Sequence, residues 1–407
     1  MPEEEVMEES FGLLKINVFL QGIGFPAENV EVTVSDSESG DVLARMMTNG
    51  EGQLPPLRLG APPFSYAQSS TRPRPFSQYD VSAVLPGYDT ALIRNVQVYA
   101  DVTAVQNILL QPLYDAVFIP YPTLWGSFPE KIPEAEIKRL PFPSGLAVLP
   151  EPVIPELIVV HDGVPQDRSA PDYTVGFKDY IKNVASSEIY ASWPKEALKA
   201  NILAILSFTM SRVYTEWYRS KGYDFTITSS TAYDQAFTYG RNIFQEISDI
   251  VDELFTFYLS RTNISQPLFA QYSDGIRVVR EGWLSQWGSK ALAEQGYSAL
   301  QILRSYYGYN LVLREARKVA GIPLSFPGVL SVGSSGAPVR TVQSQLNVIS
   351  NNFPLIPKLV EDGLFGPRTS EAVRTFQQIF DLPQTGAVNY PTWYRISDVF
   401  NSIRTGS

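Results

Sequence analysis

Between Tyr114 and Leu157 the chain carries Pro120, Pro122, Pro129, Pro133, Pro141, Pro143, Pro150, Pro152 and Pro155. Each proline fixes its own φ and lacks a backbone N–H, so a run this dense excludes helix and interior strand and leaves extended chain rich in polyproline II. Residues 114–157 therefore divide the sequence into parts that must fold by different rules. The stretch reads as a semi-rigid linker or strap. A sharper reading makes it a pro-region boundary, where a protease releases what precedes it.

Before this boundary the hydrophobic period is two. Leu14, Ile16, Val18 and Leu20 alternate with Lys15, Asn17 and Phe19, and Val30, Val32 and Val34 repeat the pattern. That is the mark of half-buried strands. Turn clusters at Ser37–Gly40 and Thr48–Gly52 separate further strands at 42–46, 54–59, 79–85, 96–99 and 105–110. Residues 10–113 are thus expected to form a small β-sandwich. The spacing, with Thr48-Asn49 leading to Gly52, resembles transthyretin-like modules.

After it, over 158–320, strands and helices mix and predict an α+β domain. Ile158–His161 reads as a short buried strand, and helices are expected from about Thr174 to Ser187 and from Pro194 to about Tyr218. The second is apolar nearly all round, which predicts the central, buried helix. On the first, Phe177, Ile181, Val184 and Glu188 share helical spacing, so a carboxylate stands where the stripe asks for an apolar residue. On spacing alone, a carboxylate that caps or ties a turn is the simpler reading. Further strand is expected at Phe225–Ser229, an irregular turn at Tyr233–Gly240, and helices at Ile243–Tyr258, Lys290–Gln295 and Ala299–Tyr307.

Bulk composition narrows the chemistry. The 407 residues carry a formal charge of −10, 44% hydrophobic and 18% charged residues, no cysteine and one histidine, His161. The negative balance argues against nucleic acid or an anionic membrane surface as main partner. The missing cysteines remove disulfides and thiolate chemistry, and a lone histidine argues against a zinc hydrolase, so no metal or cofactor is expected. His161 reads as a hydrogen-bonded turn histidine, and Glu196 as a first-turn acid that suits the helix dipole. The start, Met1-Pro-Glu-Glu-Glu, lacks the basic and apolar regions of a signal peptide. A soluble protein is expected, made without standard export or missing its leader.

Residues 327–407 hold the most specific pattern. Gly333 and Gly336 lead into Val339–Leu346, and Asp362-Gly363-Leu364-Phe365-Gly366 leads into a second helix through Ala372, Val373 and Phe376. Thr385-Gly386 then leads to Trp393. This segment resembles a three-helix peptidoglycan-binding domain. The resemblance implies ligand contacts at Arg340, the Asp362 turn and Trp393.

The middle domain resembles stage II sporulation protein D, a lytic transglycosylase. Three blocks carry the likeness: Ser187-Glu188 with Ser192-Trp193-Pro194; Tyr233-Asp234-Gln235 through Gly240; and Leu284-Ser285-Gln286-Trp287-Gly288 with the segment to Gly308. The whole arrangement is similar to the clostridial spore cortex-lytic enzymes. It implies a peptidoglycan partner, a place in the spore cortex or coat region or the cell wall, and a proenzyme activated by a protease at germination. Departures are present: Ile189-Tyr190 follows the glutamate, Leu206 replaces an arginine of the buried helix, and no Gly-His-Gly run precedes Ser285.

By this resemblance Glu188 is the catalytic residue, and Tyr233, Gln235, Ser285, Gln286 and Trp287 form the substrate site. One carboxyl is enough for a transglycosylase. It protonates the leaving glycosidic oxygen and then takes the proton of the sugar's own C6 hydroxyl, so no water is activated. The apolar stripe and the helix C-terminus should both favour the protonated form. The rival readings are a muramidase, with Asp234 or Glu281 as second acid, and a non-catalytic wall-binding protein.

Overall fold

The computed structural model describes residues 10–20, 24–110, 116–138, 152–316, 318–319 and 329–405. The acidic start and Pro141, Pro143 and Pro150 lie outside the described residues.

The N-terminal strands are β1 (Ser10–Phe19), β2 (Glu31–Asp36), β3 (Val42–Met47), β4 (Leu57–Ala61), β5 (Ser77–Val84), β6 (Ala91–Val98) and β7 (Thr103–Leu109). The alternation is realised in β1, where Leu14, Ile16 and Val18 are buried and Lys15 and Asn17 are partly exposed. The Thr48–Gly52 turn is held by its side chains: Thr48 Oγ1 donates to the Ala27 carbonyl at 2.6 Å and accepts from the Val30 N–H at 3.0 Å. Gly52 has φ +71°, and a Cβ there would lie 2.3 Å from the Val18 carbonyl oxygen, so glycine is required on both counts.

The sandwich is not closed by its own strands. After it come β8 (Val117–Phe118), β9 (Val153–Ile154), β10 (Leu157–His161) and β11 (Asp172–Gly176), then helices α1 (Phe177–Glu188) and α2 (Lys195–Tyr214), then β12 (Ile227–Thr228) and β13 (Ile243–Phe244). One sheet has the order β13-β7-β1-β4 and the other β3-β2-β5-β6-β8. Thus β13, from the middle of the chain, extends the first sheet by pairing Ile243 with Val105 and Phe244 with Ala104. The proline-rich segment extends the second through β8. A strand edge with unpaired N–H and C=O groups is a template for further pairing, and here the rest of the chain covers it. Trp193 Nε1 donates to the Ala67 carbonyl at 3.0 Å, and Gln106 Nε2 donates to Gly240 O at 2.9 Å.

The remainder of the middle region is α3 (Gln245–Leu254), β14 (Phe257–Arg261), β15 (Tyr272–Ser273), β16 (Leu284–Ser285), α4 (Gln286–Glu294), α5 (Ala299–Tyr307), β17 (Leu311–Glu315) and β18 (Lys318–Val319). The span expected as one helix at Ile243–Tyr258 is instead strand, helix and the start of a strand, because Ile243 and Phe244 are captured by the β7 edge. Helix α2 is buried from Ala197 to Tyr214 except at Lys199, and packs against α1, α3, α4, α5 and β14.

Residues 116–138 are a strap packed on the middle region, and each of its polar backbone groups must find a partner. Pro133 has no N–H, and the Gln271 amide bridges it. Gln271 Nε2 donates to Ile132 O at 2.9 Å, and Gln271 Oε1 accepts from Glu134 N–H at 3.0 Å. Ile132 N–H donates to Ala232 O at 2.7 Å, and Lys138 N–H to Gln266 Oε1 at 3.0 Å. The described part of the proline-rich stretch is therefore not a free linker, and β8 and β9 within it are paired.

The C-terminal helices are α6 (Ala337–Ile349), α7 (Pro367–Ile379) and α8 (Tyr390–Thr405). One device recurs. Gln343 Oε1 accepts from Gly363 N–H at 2.8 Å while its Nε2 donates to Leu364 O at 3.0 Å. Gln377 makes the same pair with Gly386 N–H and Ala387 O, each at 2.9 Å. Both glycines have positive φ, +75° and +68°.

A chain beginning at Ile158 would lose the strap and leave β13 without its partner strand. It is expected to melt at clearly lower temperature than the full chain in a calorimetric scan, and not to gain activity. Equal melting temperatures would contradict this packing.

Candidate active site

Phe177, Ile181 and Val184 anchor α1 in the core, and Glu188, its last residue, is 3% exposed. Its carboxylate lies at the floor of a cleft of about 290 Å³. One wall is the strap, with Thr123, Ser127, Phe128, Pro129, Glu130 and Lys131. The others are Thr231, Tyr272–Asp274, Arg277, Val278, Trp283 and Gln286. Glu188 Oε1 accepts from Ala236 N–H at 2.8 Å, while Oε2 is buried with no hydrogen bond. The helix C-terminus is closed by neighbours: Thr123 N–H donates to Ser187 O at 2.9 Å, and Thr123 Oγ1 and Gln286 Nε2 donate to Glu188 O at 3.4 Å.

Burial pushes the Glu188 carboxyl above its ordinary range, against the opposing pull of the Lys131 charge, the Tyr272 hydroxyl and the Ala236 N–H. Desolvation, one of the two causes expected from the sequence, is thus the largest. Burial, with Glu188 nearby, holds Tyr272 firmly as the neutral phenol. Asp274 in the same cleft is different. Burial raises its carboxyl, but the Arg277 guanidinium and backbone N–H groups of Val278 and Ile276 outweigh that and hold it ionised.

The structure separates the substrate residues expected from the sequence. Gln286 lines the Glu188 cleft. Gln235 is fully enclosed and its amide is spent on protein partners. Its Oε1 accepts from Tyr180 at 3.1 Å and Thr209 at 2.8 Å, and its Nε2 donates to Ile205 O at 3.2 Å and the Tyr272 hydroxyl at 3.0 Å. It positions Tyr272. Ser285 caps α4, its Oγ accepting from Gly288 N–H at 2.9 Å. Tyr233 faces a separate hollow with Ile132 and Trp217, and its carbonyl accepts from Arg212 at 3.0 Å. Trp287 is half-buried outside the cleft, its ring 5.0 Å from Trp193 and 6.0 Å from Tyr190.

Beneath the cleft lies a buried ion cluster. Arg212 donates through Nε to Asp234 Oδ1 at 2.7 Å and through Nη2 to Glu134 Oε1 at 2.6 Å. Asp234 Oδ2 also accepts from Tyr218, at 2.7 Å, and from the N–H and hydroxyl of Thr228, at 3.0 and 2.7 Å. Lys138 completes it with Glu134 at 2.7 Å. Asp234 is therefore fully engaged and unavailable as a second acid, and Glu281 is exposed and does not line the cleft.

Lys131, Tyr272 and Arg212 were not singled out from the sequence. A signal for Arg212 existed, since it follows Leu198 and Ile205 at intervals of seven on α2, the same spacing logic that picked out Glu188. Lys131 lies in aperiodic chain and gave none. His161 is tied to Asp172, Nδ1 to Oδ1 at 2.8 Å, and stacks on Phe225 at 4.5 Å. Glu196 Oε2 accepts from Ala299 N–H at 2.7 Å, at the start of α5.

In the C-terminal domain Arg340 and Asp362 are exposed. Arg340 donates to Asp362 O at 3.4 Å, and the Leu364 N–H and Gln343 amide hold the Asp362 carboxyl below its ordinary range. Trp393 is 2% exposed and part of the core, so its ring offers no face to a glycan. Among the described residues no group of three or more potential ligands is placed to hold a metal ion, and no helix is long and apolar enough to cross a membrane.

Comparison with known proteins gives two family matches. The Stage II sporulation protein family matches residues 172–253, and a putative peptidoglycan binding domain matches residues 335–396. No curated protein matches. Among solved structures, (S)-allantoin synthase is 18% identical over 25% of this chain and 42% of its own, with TM-score 0.18. The 5-hydroxyisourate hydrolase of Klebsiella pneumoniae is 20% identical over 24% and 91%, with TM-score 0.16. The dioxygenase domain of a carbohydrate-binding fusion protein from Streptomyces sp. SirexAA-E is 13% identical over 27% and 84%, with TM-score 0.18. The chain thus spans less than half the length of the first of these, and at such scores none bears on its fold.

Replacing Arg212 by methionine strands Asp234 and Glu134, and is expected to cost about 3–5 kcal/mol in denaturant unfolding. Trp393→Ala is expected to cost the C-terminal domain about 3–5 kcal/mol by cavity formation. A loss of wall binding by Trp393→Ala with unchanged stability would instead make the ring a ligand contact. In order and position, the two matches make this a chain in which a segment similar to the Stage II sporulation protein family precedes one similar to a putative peptidoglycan binding domain.

Proposed function

We propose that the protein is a peptidoglycan lytic transglycosylase acting on spore cortex or wall glycan, with Glu188 as its acid and base. The observation that carries this reading is one buried carboxyl at a cleft floor, favoured in its protonated form and with Oε2 unbonded. Protonated Glu188 gives its proton to the glycosidic oxygen as the bond from that oxygen to muramic C1 breaks. The resulting carboxylate takes the proton of the C6 hydroxyl as its oxygen bonds to C1. A 1,6-anhydro ring forms, Glu188 is again protonated, and no water is consumed.

A hydrolase would normally use a second carboxylate. Asp234 is enclosed by Arg212, Tyr218 and Thr228. That enclosure supports the single-carboxyl route. Tyr272 and Gln286 are the neighbours best placed to orient the sugar, and the exposed Arg340–Asp362 turn is the proposed wall contact of the C-terminal domain. Activation by cutting away everything before Ile158 is not part of the proposal, since such a cut removes Lys131 from the cleft and Glu134 from Arg212.

Digestion of purified cortex peptidoglycan, with products weighed by mass spectrometry, tests this. The wild type is expected to release anhydro-muramic ends and Glu188→Gln to be slower by roughly 10²–10⁴-fold. Because the working form is the protonated acid, activity should fall as pH rises through the Glu188 pKa. Reducing ends would mean hydrolysis, and equal activity in Glu188→Gln would remove Glu188 from the mechanism.

A further inference from the structure

Lys131 reaches the Glu188 cleft from a segment outside both family matches, the strap. Its ammonium is buried and makes no hydrogen bond. It lies over two aromatic faces, 4.2 Å from the Tyr272 ring centroid and 4.6 Å from that of Phe208. Such faces attract a cation but accept no proton and do not replace the hydration of an ammonium. Across the same cleft Glu188 Oε2 is also buried without a hydrogen bond. An ammonium with no acceptor and a carboxyl held only by the Ala236 N–H and the neighbouring Tyr272 hydroxyl are costly in one cleft unless they serve each other or a bound substrate.

The other charges facing this pair are already matched. Arg277 is paired with Asp274, and Arg280 with Glu130. Below, Arg212 holds Asp234 and Glu134. The elements that pack against Glu188 otherwise present Tyr180 from α1, Tyr272 from β15, Gln286 from α4 and the Ala236 N–H. Among the described residues lining the cleft, Lys131 is the cation with no carboxylate in bonding distance.

We propose that Lys131 is a positioning residue of the active site, the charge partner that stabilises the Glu188 carboxylate during the interval between giving and regaining its proton. Burial pulls the Lys131 ammonium below its ordinary range, against the opposing charges of Glu188 and Asp234; in this role it exchanges no proton with the sugar, so the proton count of the reaction is unchanged. The strap is then a functional part of the site, held in register by the Glu134–Arg212 pair three residues after Lys131. The role in turnover rests on the transglycosylase reading; the coupling between the two groups does not.

The test titrates the Glu188 carboxyl of the full chain by its infrared C=O band, isolated as the difference between a protein and its Glu188→Gln counterpart. In Lys131→Met the midpoint is expected to rise by roughly one to three pH units, because the carboxylate has lost a nearby positive charge. Lys131→Arg should keep the wild-type midpoint. The alkaline limb of glycan release should move up with the midpoint in Lys131→Met and stay in Lys131→Arg, which loss of packing alone would not produce. Should Lys131→Met fail to fold, Lys131→Gln is titrated in its place. An unchanged midpoint in the neutral variant overturns the proposal. A shifted midpoint in a wild-type background that releases no glycan supports the charge pair and overturns the transglycosylase reading instead.

Discussion

The buried Arg212 guanidinium holds three distant parts of the chain at once. Its Nε binds Asp234, at the head of the turn whose next residues are Gln235 and Ala236, and its Nη groups bind Glu134 of the strap. The arginine itself is fixed by α2, the helix about which the middle region packs. A charge of this kind tolerates burial only when its donors are matched by well-placed acceptors, and removing one acceptor leaves an uncompensated ion. The cluster therefore specifies an arrangement. With Asp234 in place, Ala236 presents its N–H to Glu188 and Gln235 holds the Tyr272 hydroxyl. With Glu134 in place, the strap lies where Lys131 enters the cleft.

From this cluster upward, polarity is graded. Asp234 is saturated with donors, Gln235 has its amide fully used, and only then does the cleft reach Glu188, with one oxygen bonded and one not. Nearly all hydrogen-bonding capacity is spent within this layer, leaving one buried acceptor and one buried cation without a hydrogen bond beside the cleft. Burial raises the pKa of an acid so placed because water cannot solvate its charge, and a nearby cation eases the loss of its proton during a reaction.

Much of this was legible in the chain. The period of two in β1 and β2, the all-round apolar α2, and Glu188 in an apolar stripe are local regularities, and burial imposes them on any sequence that folds this way. The turns at Gly363 and Gly386 were also readable, since left-handed backbone demands glycine. The roles of the polar residues were less so. Gln235 and Trp393 were expected at ligands and are interior, because an amide or an indole has the same letter whether it meets a sugar or a neighbouring side chain. Only the count of partners around it tells the two apart.

The sequence by itself determined the kinds of element, the position of the buried acid and the chemistries excluded by the absence of cysteine and the single histidine. These follow from composition and from periods shorter than one element. Only the tertiary structure decided that β13 completes the N-terminal sheet, that Gln271 clips the strap around Pro133, and that Lys131 stands in the cleft with Glu188. Each depends on contacts between segments far apart in the chain, and an extended, proline-rich strap has no hydrophobic period to announce which face it buries.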